Sequence, residues 1–366
     1  MYKLARVTYS LDPVLGGPYS VVKNSSTYLR EEFDLTTLVF GNSDLIMQNQ
    51  ITHPTYRNNH VGFFFRPLPK KMKNTLKTSD ILLIHGFYLF STLVSIRIFQ
   101  GKSIFLMPHG TFEIYQQKQS RIRKKLFDLI LKVLLKKRNI HFIVASESEI
   151  KGVLHRFPKA TVTKIGLGVD IPVLPKSKRT LDPKSPRLLS YSRIAKKKRI
   201  DLTIRAMLKL KQLGFNPVLD IVGKGDDQIE LELLNLSKSL QLTNSINFIG
   251  FVHPNQRAQV FANADLLILP SENENFANSV AEAISYHVPV VISKEVALSE
   301  FVFEKKCGIV LSSCDPITIS DAIAIIVKDY DTFSVNCKNA SHNLSWSSVG
   351  LDWIQIIKRG TEMMIS

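Results

Sequence analysis

Short apolar runs alternate with stretches whose apolar residues recur at helical spacing, almost from one end of the chain to the other. The runs predict strands and the longer stretches predict helices. In the first half the predicted strands are Ala5–Thr8, Thr37–Phe40, Gly62–Phe65, Ile81–Ile84, Ile104–Met107 and Phe142–Ala145. In the second half they are Leu188–Tyr191, Val218–Val222, Ile246–Phe248, Leu266–Leu269 and Val290–Ile292. Strand and helix in regular alternation is the pattern of an α/β protein with parallel sheets.

Periodicity lapses once, between Ile171 and Pro186, where Pro172, Pro175, Pro183 and Pro186 accompany four basic residues. That composition marks a linker. The expected organisation is a Rossmann-like domain over residues 1–170, a linker over 171–186, and a second Rossmann-like domain over 187–345. A helical tail follows over 346–366, carrying Trp353, Ile354, Ile356 and Ile357. Two such domains joined by a hinge are expected to face each other across a cleft. No internal repeat or low-complexity tract interrupts this reading.

Composition adds little until charge is considered. The chain is 45% hydrophobic and 22% charged, as soluble globular proteins are. Cys307, Cys314 and Cys337 are not spaced for zinc or for a disulfide framework, which fits a reducing cytosol. Met1 to Ser10 reads as a strand and not as a secretory leader. The apolar stretch Ile81 to Phe99 is long enough to tempt a membrane-span reading, but His85-Gly86 splits it and Arg97 interrupts its second part. It reads as strand, turn and helix. The formal net charge of +17 calls for an anionic partner. It is concentrated between Lys118 and Arg138, where nine residues are Lys or Arg against the single acid Asp128. Within that segment Ile122, Leu126, Leu129, Ile130, Val133 and Leu134 recur at helical spacing, widened by Phe127, Leu131 and Leu135. Such a basic amphipathic helix fits a membrane surface, with Arg123, Lys124, Lys125, Lys136 and Lys137 toward anionic head groups. It also fits a helix packed on its domain with a solvated basic rim. Nucleic-acid binding is not expected, because the cations interleave with Leu and Ile instead of aromatic stacking platforms.

Candidate chemistry gathers where strands end. After Leu266–Leu269 comes Glu274-Asn-Phe-Ala-Asn-Ser-Val-Ala-Glu282, running into a predicted helix, Val280–Tyr286. Strand, polar turn and helix in that order put two carboxylates and free backbone N–H groups at the edge where open α/β sheets bind ligands. Ser279-x-x-Glu282 also fits a capping box, in which Glu282 would only satisfy backbone donors. After Leu188–Tyr191 comes Ser192-Arg-Ile-Ala-Lys-Lys-Lys-Arg-Ile-Asp201, and after Val218–Val222 comes Gly223-Lys-Gly225. Gly16-Gly17-Pro18 follows the first strand, and Met107-Pro-His109-Gly110 ends the fifth. Asp329-Tyr-Asp331 is the single Asp-x-Asp, and it trails an apolar helix over Ile317–Val327, where a solvated helix end is the ordinary reading.

Glu274 and Glu282 resemble the E-x7-E region of retaining glycosyltransferases of the GT-B architecture, particularly glycosyltransferase family 4. The basic turn resembles the family's G-R-L-x-x-x-K-G-x-D segment. Gly-Gly, His, Arg with Lys, Gly-x-Gly, Glu-x7-Glu and Pro-Val-Val follow one another at family-like intervals over most of the chain. The resemblance implies that Arg193 and Lys198 clamp the diphosphate of a nucleotide sugar, that Glu282 holds the ribose, and that Glu274 and His109 orient the donor sugar. It places Gly16, Gly17, Gly223, Phe276, Ala277 and Asn278 around the donor. Glu113, shortly after the fifth strand, is a further candidate cleft residue to which no specific role is assigned. Several positions depart from the family's pattern: Ser192, Arg199 and Ala277 stand where glycine is usual, and His287 stands where a small residue is usual.

The resulting expectation is an α/β protein with two parallel-sheet domains acting as a metal-independent, retaining glycosyltransferase. It needs no cofactor beyond the nucleotide-sugar co-substrate, whose base the residues do not choose. The expected acceptor is a lipid-linked glycan of bacterial surface-polysaccharide assembly, met at the inner face of the cytoplasmic membrane. Rival classes are a nucleotide-sugar epimerase or phosphorylase of the same architecture, and a non-catalytic basic protein that binds membranes or nucleic acid.

Overall fold

The computed structural model describes residues 1–12, 17–41, 47–52, 68–112, 121–135, 138, 140–166, 168–172, 180–274 and 277–365, without the side chains of 121–123, 254 and 365. The chain divides into two compact units, one formed by Met1–Gly168 with Trp346–Ser366 and the other by Val169–Ser345.

The first unit contains β1 (Tyr2–Thr8), α1 (Gly17–Glu32), β2 (Phe33–Val39), β3 (Gln50–Thr52), α2 (Lys70–Thr78), β4 (Ile81–His85), α3 (Phe90–Ile98) and β5 (Ser103–Met107). It continues through α4 (Arg121–Leu134), β6 (Ile140–Val144), α5 (Glu147–Arg156) and β7 (Thr161–Lys164). The strands pair in the order β3-β2-β1-β4-β5-β6-β7, and every pairing is parallel. β4, β5 and β6 are buried along their whole length, which is why apolar residues dominate them, with His85, Ser103 and His141 the polar exceptions. The stretch that tempted a membrane reading is β4, a turn and α3. Among the described residues no helix is long and apolar enough to cross a membrane.

The second unit contains β8 (Arg187–Tyr191), α6 (Ile200–Gln212), β9 (Val218–Val222), α7 (Asp227–Ser239), β10 (Ile246–Gly250), α8 (Arg257–Ala262) and β11 (Leu266–Leu269). Then follow α9 (Asn278–Ser285), β12 (Val290–Ser293), α10 (Ser299–Lys305), β13 (Gly308–Leu311), α11 (Pro316–Lys328) and α12 (Tyr330–Ser341). Its parallel sheet runs β10-β9-β8-β11-β12-β13. Strand order reverses between β8 and β11, so their C-terminal ends border a topological switch point, the usual place for a ligand in an open α/β sheet.

The tail is α13 (Trp346–Ile365), which belongs to the first unit. Trp353 is 1% exposed there, a burial that stabilises by about 1.5–3 kcal/mol for a side chain of this kind. Gly350 lets α13 meet α1 closely, since a Cβ on it would lie 2.3 Å from the Tyr28 ring. The second unit begins and ends at one point: Val169 and Ser345 form a parallel bridge, and the Val169 N–H donates to the Leu344 carbonyl at 2.7 Å.

Most differences from the sequence reading are at edges. β3, β7 and β13 were not predicted, because they are short edge strands and two of them are largely polar. The predicted strand Gly62–Phe65 lies outside the described residues. The helix predicted from Val280 starts two residues earlier, at Asn278, because polar residues form its first turn.

Candidate functional site

Two loops meet at the switch point of the second unit. The first follows β8: Ser192 and Ile194 donate their N–H groups to the carbonyls of Val222 and Lys224, at 3.0 and 3.2 Å, which zips this loop to the turn after β9. Glycine is required in that turn. Gly223 has φ +136°, and a Cβ there would sit 1.9 Å from the Ser192 carbonyl oxygen; at Gly225 it would sit 2.0 Å from that of Ile194. The chain then makes a 3-10 turn, Lys196–Lys198, which buries Lys198.

The second loop follows β11 and is fastened to that turn. Glu272 donates its N–H to the Lys197 carbonyl at 2.8 Å, and the Ser271 hydroxyl donates to the same oxygen at 3.0 Å. This brings Glu274 onto Lys198. The two form an ion pair, with side chains only 13% and 11% exposed, and the Ser271 hydroxyl also lies 3.2 Å from Glu274 Oε1. Burial pulls the Lys198 ammonium below its ordinary range, while Glu274 opposes that shift and Lys197 and Arg193 add to it. Arg193 is exposed beside this pair. Arg199 takes the left-handed conformation (φ +51°) and pairs with Asp201 at 3.1 Å and Glu272 at 3.3 Å.

Glu282 lies on α9. The capping-box reading of this residue is not realised: the helix N-cap is Ala277, in the left-handed conformation, and no side chain caps it. Ser279 is inside the first turn, so its geometry is wrong for a cap. Glu282 instead accepts from Arg257 Nη1 on α8 at 2.8 Å. Burial raises the carboxyl above its ordinary range, and Arg257 opposes this. Asn278 opens the helix beside Ala277. Phe276 lies outside the described residues.

In the first unit, Gly17 is the first residue of α1, while Gly16 and Glu113 lie outside the described residues. His109 follows β5 with φ +54°. Its ring is set by His85, the last residue of β4: His85 Nδ1 and His109 Nε2 are 3.0 Å apart, and the rings stack with centroids at 5.2 Å. Trp353 of α13 packs at 6.2 Å from His85. The fully buried Glu149 holds the backbone of this turn, accepting the Gly110 N–H at 2.6 Å through Oε1. Burial pushes the His109 imidazole down to about 3, so it is neutral at ordinary pH and serves as a hydrogen-bonding group, not a cation.

The basic helix is more divided than its sequence suggests. Leu131 is fully buried, and Phe127, Leu134 and Leu135 pack against the core of the first unit. Leu126, Leu129, Ile130 and Val133 are 60%, 62%, 42% and 67% exposed, so α4 carries a second, exposed apolar face. Lys125 and Lys132 are exposed beside that face. Lys124 departs from the expectation that it faces a membrane. Its ammonium lies over the Tyr88 ring at 5.1 Å, and Asp128 one turn on pairs with Arg156. Lys136, Lys137 and the Arg123 side chain lie outside the described residues. Asp329 and Asp331 flank the start of α12, the first as its N-cap and the second in its first turn.

Structure thus joins Lys198 to Glu274 and sets Arg193 beside them, while His109 belongs to the other unit. Arg257, His85 and Glu149 escaped the sequence reading. Each acts through a partner distant in sequence, and only His85 left a trace, as the polar break in an apolar run.

Residues 175–343 match the family described as Glycosyl transferases group 1. An uncharacterized glycosyltransferase of Methanocaldococcus jannaschii, MJ1607, is 28% identical over 181 residues, which are 48% of this chain and 46% of that relative. The chain therefore spans about half the length of that relative. The amylovoran biosynthesis glycosyltransferase AmsK of Erwinia amylovora is 22% identical over 79% of this chain and 74% of its own. Among solved structures, Anabaena HepE in complex with UDP superposes with a TM-score of 0.74 at 16% identity, over 98% of this chain and 100% of that one. The second unit thus resembles the glycosyl transferases group 1 family, and the two parallel-sheet domains share the GT-B fold of the solved glycosyltransferase structures.

Proposed function

We propose that this protein transfers a sugar from a nucleotide-activated donor to a glycan acceptor, with retention of configuration at the transferred carbon. The observation that carries the reading is the buried Lys198–Glu274 pair with Arg193 beside it, at the switch point of a parallel sheet. Fixed cations in a partly dry site stabilise the charge that grows on a departing diphosphate better than water does. In this reading Arg193 and Lys198 hold the diphosphate, so leaving-group departure needs no divalent metal. Glu282 takes the ribose, and Glu274 and His109 orient the sugar. Gly16, Gly17, Gly223, Phe276, Ala277 and Asn278 line the donor. The UDP bound to Anabaena HepE supports a nucleotide ligand.

The acceptor in this proposal is a lipid-linked glycan of surface-polysaccharide assembly, met at the inner face of the cytoplasmic membrane. The name of AmsK, which places it in amylovoran biosynthesis, supports a polysaccharide product. The exposed apolar face of α4, edged by Lys125 and Lys132, supports contact with an anionic surface.

The test is a thermal-shift screen of nucleotide sugars, followed by product analysis with membrane-extracted acceptors. A donor at a hundred times its Kd raises native stability by about 2.7 kcal/mol. Acceptor-dependent product with retained anomeric configuration is the expected result. Epimerised or phosphorolysed sugar without any acceptor-dependent product would replace transfer with another chemistry of the same site.

A further inference from the structure

Glu282 does not stand alone on α9. Arg257 opens α8 and donates from Nη1 to Glu282 Oε1 at 2.8 Å, with the Glu282 side chain 17% exposed and the Arg257 side chain 40% exposed. Among the described residues no hydrogen bond reaches Oε2. The rings around the pair are ordered: Phe261 of α8 packs against Tyr191 at 5.2 Å and stacks on Tyr286 at 5.0 Å, with an interplanar angle of 11°. Arg257 Nε is buried without a hydrogen-bond partner in this arrangement. A buried donor left unsatisfied is a cost that calls for a reason.

We propose that Arg257 is a positioning residue for a bound nucleotide: it holds Glu282 as a carboxylate with Oε1 committed, so that Oε2 alone meets the ribose of a nucleoside diphosphate. This rests on the nucleotide-sugar reading above and adds to it a residue and a mode of contact.

The electrostatics support the geometry. Burial pushes the Glu282 carboxyl up, Asp170 pushes the same way, and Arg257 is the group that opposes them. Tyr191 and Tyr286 also face the pair, but both phenols are raised above their ordinary range, burial first, so they stay neutral in the range where proteins are assayed. Arg257 and Asp170 are therefore the charges that decide the state of Glu282. Without Arg257 the carboxyl protonates at higher pH and accepts the ribose hydroxyl poorly.

The experiment is calorimetric titration of the full chain with UDP, ADP and GDP, and with the 2′-deoxy and 3′-deoxy forms of whichever binds. It is run on wild type, Arg257→Met and Arg257→Lys across a pH series, because burial raises the Glu282 carboxyl and Arg257 is the group that opposes it. Wild type should lose much affinity with one missing hydroxyl and little with the other. Arg257→Met should weaken by about tenfold per pH unit on the acid side, where wild type is flat. Arg257→Lys should keep the wild-type profile. A pH-independent loss in Arg257→Met, or equal penalties for the two missing hydroxyls in wild type, overturns the assignment of Arg257 and leaves nucleotide binding standing. If wild type binds none of the three diphosphates, the nucleotide reading and this inference fall together.

Discussion

Lys198 and Glu274, one from the turn after β8 and one from the loop after β11, form a single buried ion pair across 76 positions of sequence. The family resemblance implies a separate ligand role for each. Each is also the other's partner, so a donor bound there shares an existing charge contact. Removing one member of a buried pair strands the other, at a cost of about 3–5 kcal/mol. Lys198→Ala and Glu274→Ala should each lose about that much stability in urea unfolding, and the double variant Lys198→Met with Glu274→Leu should recover most of it without recovering transfer. Independent, additive losses would show that the pair is not coupled.

Lys198 also sets an alkaline limit. Its ammonium is held below the ordinary lysine value of 10.5, chiefly by burial. As pH rises through that lowered value the cation is lost, while the same group in the unfolded chain is still protonated. Stability contributed by this group therefore rises with pH over that window, and diphosphate binding falls. A pH–rate profile should show an alkaline limb below the ordinary lysine range that Lys198→Arg moves upward.

Arg193 separates chemistry from folding. It is exposed and makes no described ion pair, so Arg193→Ala should leave the melting temperature almost unchanged. Transfer should slow by about 2–4 kcal/mol in barrier, as with other preorganised charge stabilisers. Activity of the wild type should persist in EDTA. Loss on chelation with recovery in manganese or magnesium would transfer the leaving-group role to a metal.

Three family departures, Arg199, Ala277 and His287, all occupy left-handed backbone, with φ of +51°, +48° and +60°. His287 closes α9: its N–H donates to the Ile284 carbonyl at 3.0 Å, and that of Val288 to Ala283 at 2.9 Å, the pairing of a Schellman end where glycine is favoured. A side chain in this conformation costs about 1–2 kcal/mol, part of which glycine returns through its looser unfolded chain. His287→Gly should therefore raise stability by about 0.5–1 kcal/mol in chemical denaturation, with donor binding unchanged.

The outer face of α4 gives the membrane prediction. Each basic residue near an anionic surface contributes about 1 kcal/mol, and the apolar stripe adds its own burial. Leu129→Ser with Val133→Ser, and separately Lys125→Ser with Lys132→Ser, should lower cosedimentation with anionic vesicles while leaving melting temperature unchanged. Both pairs binding like wild type would leave α4 as a solvated rim.

Legibility in the sequence follows locality. Val218–Val222 and Leu266–Leu269 are visible because a doubly covered strand is mostly apolar, Asp220 being the one polar position in the two, and the observed strands have those bounds. Gln50–Thr52 is invisible because only its pairing to β2 makes it a strand. Glu274, Glu282 and Lys198 stand out because strand ends and spacing mark them. What they touch was not legible: the contacts of Glu282 with Arg257 and of His109 with His85 span 25 and 24 positions, beyond the reach of any local pattern. The basic helix is legible only in part for a related reason. Its periodicity identifies a helix but cannot say which apolar residues pack on the core and which stay exposed.

The return of α13 to the first unit has a consequence for how the chain is made. A polypeptide emerges from its N-terminus, and domains ordinarily fold in that order. Here Val169–Ser345 is complete before Trp346–Ile365 has been synthesised, so the later unit holds all of its residues before the earlier one does. Until Trp353 arrives beside His85 and Gly350 beside Tyr28, the first sheet waits with one apolar seam uncovered. Fusions or truncations at this end act on the start of the molecule, not on the unit that precedes them in sequence.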